Sequence, residues 1–313
     1  MMDQKAAVRV FAPASVANVA VGYDILGFAL NGPGDEIVAG FSEAPGLEIV
    51  RITGDEGKLP YLPEKNTAGL AALKLLEYLN YKDRGIYLEI HKKMPFGSGL
   101  GSSAASAAGA VMAVNELLGS PLTKRALLPF AVLGEQVADG AYHADNVAPS
   151  LLGGIILIRS NATLDVHALP VPENLYAAVV YPQVEILTRE ARSILSPEVP
   201  LEKLIEQSGN LAGFLIGLYQ ADYALISRSL NDVVIEPQRA RLIPHFQEVK
   251  KAALNTGALG CSISGAGPSI FALCDDPSIA QKAGDEMAEV FKRHNIQQQV
   301  FISKINLDGA IRL

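Results

Sequence analysis

Residues 94–118, MPFGSGLGSSAASAAGAVMAVNELL, set glycine, serine and alanine almost alone between a proline and a leucine-rich tail. Glycine inside a regular element costs about 0.5–1 kcal/mol relative to alanine, so a run of this kind demands a backbone reason. The flanking pattern supplies a context: IYLEIHKKM alternates like a strand, PFGSGLG reads as a tight loop, and SSAASAAGAVMAVNELL continues as a helix. Three readings fit a strand–glycine loop–helix unit. Small residues can let a helix pack closely on a sheet with no ligand involved. Gly97, Gly99 and Gly101 can form a dinucleotide fingerprint, but that fold needs a strand ending in an acidic residue about 20 positions on. Residues 115–128, NELLGSPLTKRALL, read instead as helix, turn and helix, so this reading fails. The third is a phosphate cradle, with backbone N–H groups and a helix N-terminus facing an anion. No Lys-Ser/Thr follows the last glycine, so it is not a Walker loop. The cradle is the favoured reading, with close packing left open beside it.

The rest of the chain bounds what surrounds this unit. Its 313 residues suffice for two domains, and with 49% hydrophobic and 19% charged residues they describe a globular protein with a substantial core. A net charge of −7 excludes a broad electrostatic footprint for nucleic acid or anionic membrane. Cys261 and Cys274 lie in apolar stretches without a partner motif and read as reduced core residues. The segment MMDQKAAVRVF holds no signal-type apolar region, and no run reaches the roughly 18 apolar residues of a membrane helix, so we expect a cytoplasmic protein.

Strands are expected over 7–12, 47–52 (with VAGF near residue 40 as a hairpin partner), 86–90, 151–158 and 174–181. Two more are expected within 257–274, around a glycine turn, and a last one in QQVFISKI. Helices are expected over 66–79 after an Asn66 cap, over 123–139 with Pro129 kinking or splitting it, and near 189–196, 201–207, 209–230, 239–256 and 277–294. Helices and strands mix without strict βαβ alternation, which favours α+β over a doubly wound sheet. The polar stretch SNATLDVHALPVPE marks a boundary, giving expected domains of 1–165 and 166–313.

PFGSGLGSSAA resembles the central motif of the GHMP kinases, a superfamily of small-molecule kinases. APASVANVAVGYDILGFAL (12–30) and GALGCSISGAGPSIFAL (257–273) are similar to the N-terminal and C-terminal motifs of its homoserine kinase branch. Ala20 and Tyr23 depart from that pattern, where glycine and phenylalanine are usual. The resemblance implies an N-terminal domain like ribosomal protein S5 domain 2, a C-terminal ferredoxin-like domain, and ATP-dependent phosphorylation of L-homoserine for threonine synthesis. Alternatives are another small-molecule kinase of the superfamily or an inactive metabolite-binding relative. ATP would lie over Pro95, Phe96, Gly97, Ser98, Gly99, Leu100, Gly101, Ser102, Ser103 and Ala104, with Asn66 near the adenine.

At helical spacing Glu135 shares a face with Ala131, Val132 and Ala138, an odd place for a charge unless it meets something. The superfamily pattern puts Mg²⁺ between Glu135 and Ser103. Matched residue by residue, His143, Asp145 and Asn146 line the amino acid, with Asn18 and Asp24 opposite. Arg192 and Arg239 take its carboxylate, since a guanidinium fork pairs with a carboxylate, and Arg189 and Arg241 are left as surface. Asn146 would hold the attacking hydroxyl; the family pattern requires no base, and Asp145 is the candidate for one. A homodimer is a common outcome in the family.

Overall fold

The computed structural model describes residues 7–139 and 142–313, with the side chains of 137–139 left aside. The chain opens with β1 (Val8–Ala17) and the long β2 (Leu26–Ser42), followed by β3 (Leu47–Thr53), α1 (Thr67–Tyr78) and β4 (Gly85–His91). The glycine loop leads into α2 (Ser102–Leu117), then α3 (Lys124–Asp139), α4 (Val147–Leu152) and the hairpin of β5 (Ile155–Ser160) and β6 (Asp165–Leu169). The second half holds β7 (Tyr176–Pro182), α5 (Thr188–Ser193), α6 (Leu201–Gln220), α7 (Tyr223–Ser229), α8 (Glu236–Arg239) and α9 (Phe246–Asn255). It continues through β8 (Gly260–Ile263), β9 (Ile270–Cys274), α10 (Pro277–Arg293) and β10 (Gln298–Lys304), and β11 (Ile311–Arg312) returns to the first half.

Among the described residues two sheets form. The first runs β11-β1-β2-β4-β3, with β5 and β6 branching from the start of β2. The second is antiparallel, β10-β7-β9-β8, with helices between β7 and β8 and between β9 and β10. That order and connection is the split βαββαβ arrangement expected of a ferredoxin-like domain.

α2 is buried nearly all round, from Ala104 to Val114, against β1 and β2. A Cβ on Gly109 would lie 2.7 Å from Ile37 Cγ1, so the small residues of this helix serve close packing while the glycines before it serve the loop. The packing and cradle readings therefore each hold for part of the stretch.

Several elements differ from the expectation, each for a local reason. β3 pairs with β4, in parallel across the α1 crossover, and not with the VAGF segment of β2. Leu151 and Leu152 close α4 rather than open a strand, because Gly153 (φ +82°) and Gly154 (φ +75°) end the helix before β5. Ser208 and Gly209 do not interrupt α6; the break comes at Ala221 (φ +52°), after which the Asp222 carboxylate accepts from Leu225 N and starts α7. The helix expected over 239–256 is two pieces, since Pro244 holds Ile243 extended. α3 runs unbroken through Pro129: burial of Leu127, Leu128, Ala131 and Val132 offsets the one lost hydrogen bond.

The stretch 160–173 carries β6, paired with β5, so the chain crosses to the second sheet after Leu169. One apolar core joins both halves, with Phe28 of β2 edge-on to Phe271 of β9 at 5.9 Å. A second core fills the space between the four-stranded sheet and α9 and α10. No described helix is long and apolar enough to cross a membrane.

Candidate active site

Gly97, Gly99 and Gly101 all take positive φ (+64°, +76° and +66°), a conformation that a Cβ penalises, and Gly101 is the cap residue of α2. Space forbids a side chain too at Gly99 and Gly101. A Cβ on Gly99 would stand 2.6 Å from Gly267 O and 2.7 Å from Ser264 O, and one on Gly101 would collide with Ser15 Oγ. The loop meets the Ser264–Gly267 turn of the second half: Ser264 Oγ donates to Gly99 O (2.7 Å) and Ser269 N donates to Ser98 O (3.2 Å). Both glycine-rich stretches of the sequence thus form one structure.

Between them lies a cavity of about 440 Å³. Asn66, Phe96 to Gly99, Gly101 to Ser103, Glu135, Asn146 and residues 265–267 line it. Pro95, Leu100 and Ala104 lie outside that lining; Leu100 and Ala104 are fully buried in the core, and Leu100 O accepts from Ser15 N. Asn66 caps α1, its Oδ1 accepting from Ala68 N (3.0 Å), while also reaching the cavity wall. Ser103 Oγ donates to Glu135 Oε1 at 2.5 Å, which brings the expected serine and carboxylate together at the start of α2. Asn146 Oδ1 accepts from Ser15 Oγ (2.9 Å), placing that amide beside Gly101.

Most of the remaining expected residues gather around Asp24 and Gly265, the latter part of the cavity wall. Arg192 lays its fork on Asp24, with Nη1–Oδ2 at 2.9 Å and Nη2–Oδ1 at 3.3 Å, and His143 Nδ1 is 3.7 Å from Asp24 Oδ2. Asn18 donates to Gly265 O (2.9 Å) and accepts from Asp24 N (3.0 Å), at the head of a turn in which Asn18, Val19 and Ala20 all have positive φ. The φ of +57° at Ala20 explains why glycine suits that position. Arg239 is buried: Nε donates to Ala191 O and Nη1 to Gly265 O, both at 3.0 Å, and Nη2 to Tyr23 Oη at 3.3 Å. Burial, opposed by Tyr23, pulls its pKa below the ordinary arginine value. Asp145 is buried between His143 and Asn146. Arg189 and Arg241 are exposed, as expected.

Two residues escaped the sequence reading. Lys92, at the end of β4, is buried with its Nζ on Asp35 and donates to Ser102 O and Ser106 Oγ, both at 2.7 Å. Asp35 in turn accepts from Lys93 N (2.8 Å), Met94 N (3.3 Å) and Ser102 Oγ (3.1 Å), so one buried ion pair ties both ends of the glycine loop. The only signal in the sequence was a lysine pair directly before the loop.

Residues 66–154 match the GHMP kinases N terminal domain family and residues 202–293 the GHMP kinases C terminal family. The chain is 49% identical to the homoserine kinase of Chlorobium phaeovibrioides, over 97% of this chain and 98% of that one. It is 41% identical to the homoserine kinase of Xanthomonas campestris pv. campestris, over 96% and 92%. The crystal structure of homoserine kinase from Cytophaga hutchinsonii superposes with a TM-score of 0.97 at 50% identity, over 100% of this chain and 99% of that one. The Methanococcus jannaschii mevalonate kinase, at 16% identity, shares the fold with a TM-score of 0.72 over 97% and 100%. The chain belongs to the homoserine kinase family of the GHMP kinases.

Proposed function

We propose that the protein transfers the γ-phosphoryl group of ATP to the side-chain hydroxyl of L-homoserine, giving ADP and O-phospho-L-homoserine for threonine synthesis in the cytoplasm. The observation that carries this reading is an adjacency: a cavity floored by a glycine loop and a helix N-terminus is lined by Gly265, whose carbonyl accepts from Asn18, and Asn18 in turn accepts from Asp24 N beside the Asp24–Arg192 pair. Phosphoryl transfer is mostly positioning and charge neutralisation. Positive-φ glycines and the start of α2 offer backbone N–H groups to the phosphates. Ser103 and Glu135 present a hydroxyl and a carboxylate oxygen side by side, a hard-oxygen pair that fits Mg²⁺. Bound there, the ion would supply charge neutralisation on the triphosphate. The Asp24–Arg192 pair is the mirror of a zwitterion, with the guanidinium for an α-carboxylate and Asp24 for an α-ammonium. The pair is partly exposed, so opening it to admit substrate costs little.

Asn146 would hold the hydroxyl in line with ATP. The substrate hydroxyl oxygen would bond to the γ-phosphorus as the β–γ bridging O–P bond breaks with ADP leaving, and the hydroxyl proton would pass to a phosphate oxygen. Asp145 is the second acceptor for that proton. An assay of ADP release across homoserine, serine, mevalonate and galactose tests the reading: homoserine is expected to show the highest kcat/KM. Equal or better use of mevalonate or galactose overturns the choice of substrate and leaves the phosphoryl-transfer chemistry standing.

A further inference from the structure

Where α9 and α10 pack on the second sheet, the start of one helix meets the end of the other. His245 is the cap residue of α9, Glu248 stands in its first turn, and His294 is the residue that closes α10. None of the three lines the cavity described above. Each offers one ligand atom, and these atoms all lie within 4.8 Å of one another, the one such group of three or more metal-ligating side chains among the described residues. The two imidazoles stack face to face, with centroids 3.4 Å apart and planes 5° from parallel. His294 Nε2 stands 3.0 Å from Glu248 Oε2, and Arg293 Nη2 donates to the other carboxylate oxygen, Oε1, at 3.1 Å. Two donors on one tetrahedral ion, at bond lengths of about 2.0–2.1 Å, are themselves about 3.3–3.4 Å apart, so the group is close to the spacing of a coordination shell.

All three side chains are exposed, so burial does not force them together. His245 makes no side-chain cap bond to α9, which leaves its ring free for another use. Holding such groups in one place costs side-chain entropy that an exposed ion pair barely returns, whereas a shared cation returns it. We infer that His245, Glu248 and His294 form a surface site for a borderline divalent cation of the Zn²⁺ class, which staples the start of α9 to the end of α10. The donor set fixes that class, because two imidazole nitrogens and a carboxylate oxygen suit Zn²⁺, while Mg²⁺ takes oxygen alone. The ion takes Glu248 Oε2; Arg293 keeps Oε1 and orients the carboxylate, as outer hydrogen bonds do around metal-binding carboxylates. Imidazole lone pairs lie in the ring planes, so the two rings must splay from parallel to converge. The torsion next to an imidazole is soft, and exposure leaves room for that turn. The site is separate from the Ser103–Glu135 oxygen pair and stands whatever the substrate is.

The test is equilibrium dialysis of the full, tag-free chain against micromolar Zn²⁺, with Mg²⁺ in large excess so that the Ser103–Glu135 pair is not the site being read. One zinc per chain is expected to stay bound, and the thermal midpoint to rise by a few degrees once zinc is well above its Kd. Co²⁺ in place of zinc should give the visible absorption of a low-coordinate nitrogen and oxygen site. His245→Asn removes the ligand and keeps a residue that tolerates the positive φ (+61°) found there, and His294→Gln does the same at the end of α10. Each should weaken zinc binding by at least about tenfold, the loss that even a supporting group produces, and abolish the rise in midpoint. Their midpoints in EDTA should equal that of the wild type, which separates a lost ligand from a lost fold. A wild-type chain that retains no zinc overturns the inference. So does zinc held equally well by both histidine variants, which puts the ion elsewhere, or bound zinc that leaves the midpoint unmoved, which removes the staple.

Discussion

Glu135 shows what a single side chain can disclose before any fold is known. A carboxylate among Ala131, Val132 and Ala138 contradicts its own helix face, and the structure places it 2.5 Å from Ser103 Oγ at the start of α2. If it holds the cation, Glu135→Gln keeps the shape and the hydrogen bond but loses the charge that balances the transferring group. Turnover at saturating ATP should then fall about 10²–10³-fold, the scale of losing one placed electrostatic stabiliser, with homoserine KM changed much less. Near-normal turnover across a Mg²⁺ titration would return Glu135 to a plain solvated role. Arg192, by contrast, is legible only through family resemblance, because a lone arginine in LTREARSIL has no feature that sets it apart from Arg189. Tyr23 was noticed only as a departure from the family pattern. Its oxygen accepts from Arg239 Nη2 at 3.3 Å, a contact between residues far apart in the chain that no linear pattern announces.

Elements whose periodicity meets one uniform environment were legible: α1 with its Asn66 cap, α2, α10, and the β8–β9 hairpin all lie where the spacing put them. Misreadings cluster where a partner or a neighbouring residue decides. Pairing of β3 depends on the α1 crossover, and the break after α6 on a left-handed alanine that no turn signature announces. The clasp beneath the glycine loop belongs to this scale, because it joins β2, β4 and α2 through Asp35 and Lys92. Lys92→Met leaves the fully buried Asp35 carboxylate without its counter-ion, which typically costs about 3–5 kcal/mol. Urea unfolding should register that loss, and the ATP KM should rise with it because both ends of the loop are loosened. Adding Asp35→Asn to Lys92→Met should restore much of the stability and little of the ATP affinity. Full recovery of both would make the pair a packing feature with no bearing on the loop.

At the scale of the whole molecule, the two halves share a core and a cavity wall, so they should not behave as separable units. Phe271 of the second sheet is fully buried against Phe28 of the first. Phe271→Ala is expected to cost about 3–5 kcal/mol and to leave a single denaturant transition in which both halves unfold together. Two resolved transitions in the wild type would contradict that. The pairing of β11 with β1 carries the same unity into biosynthesis. Val10 faces Arg312, Phe11 faces Ile311, and Leu313 N donates to Arg9 O at 2.9 Å. β1 precedes the other described elements in synthesis, yet its outer neighbour β11 is made only after both halves have been translated. Until β11 emerges the nascent chain therefore carries β1 with one edge unpaired, the kind of edge that recruits a strand from another chain. Polysomes crowded with unfinished copies are where this fold is most exposed to mispairing, and the arrival of β11 is the seal that ends the exposure.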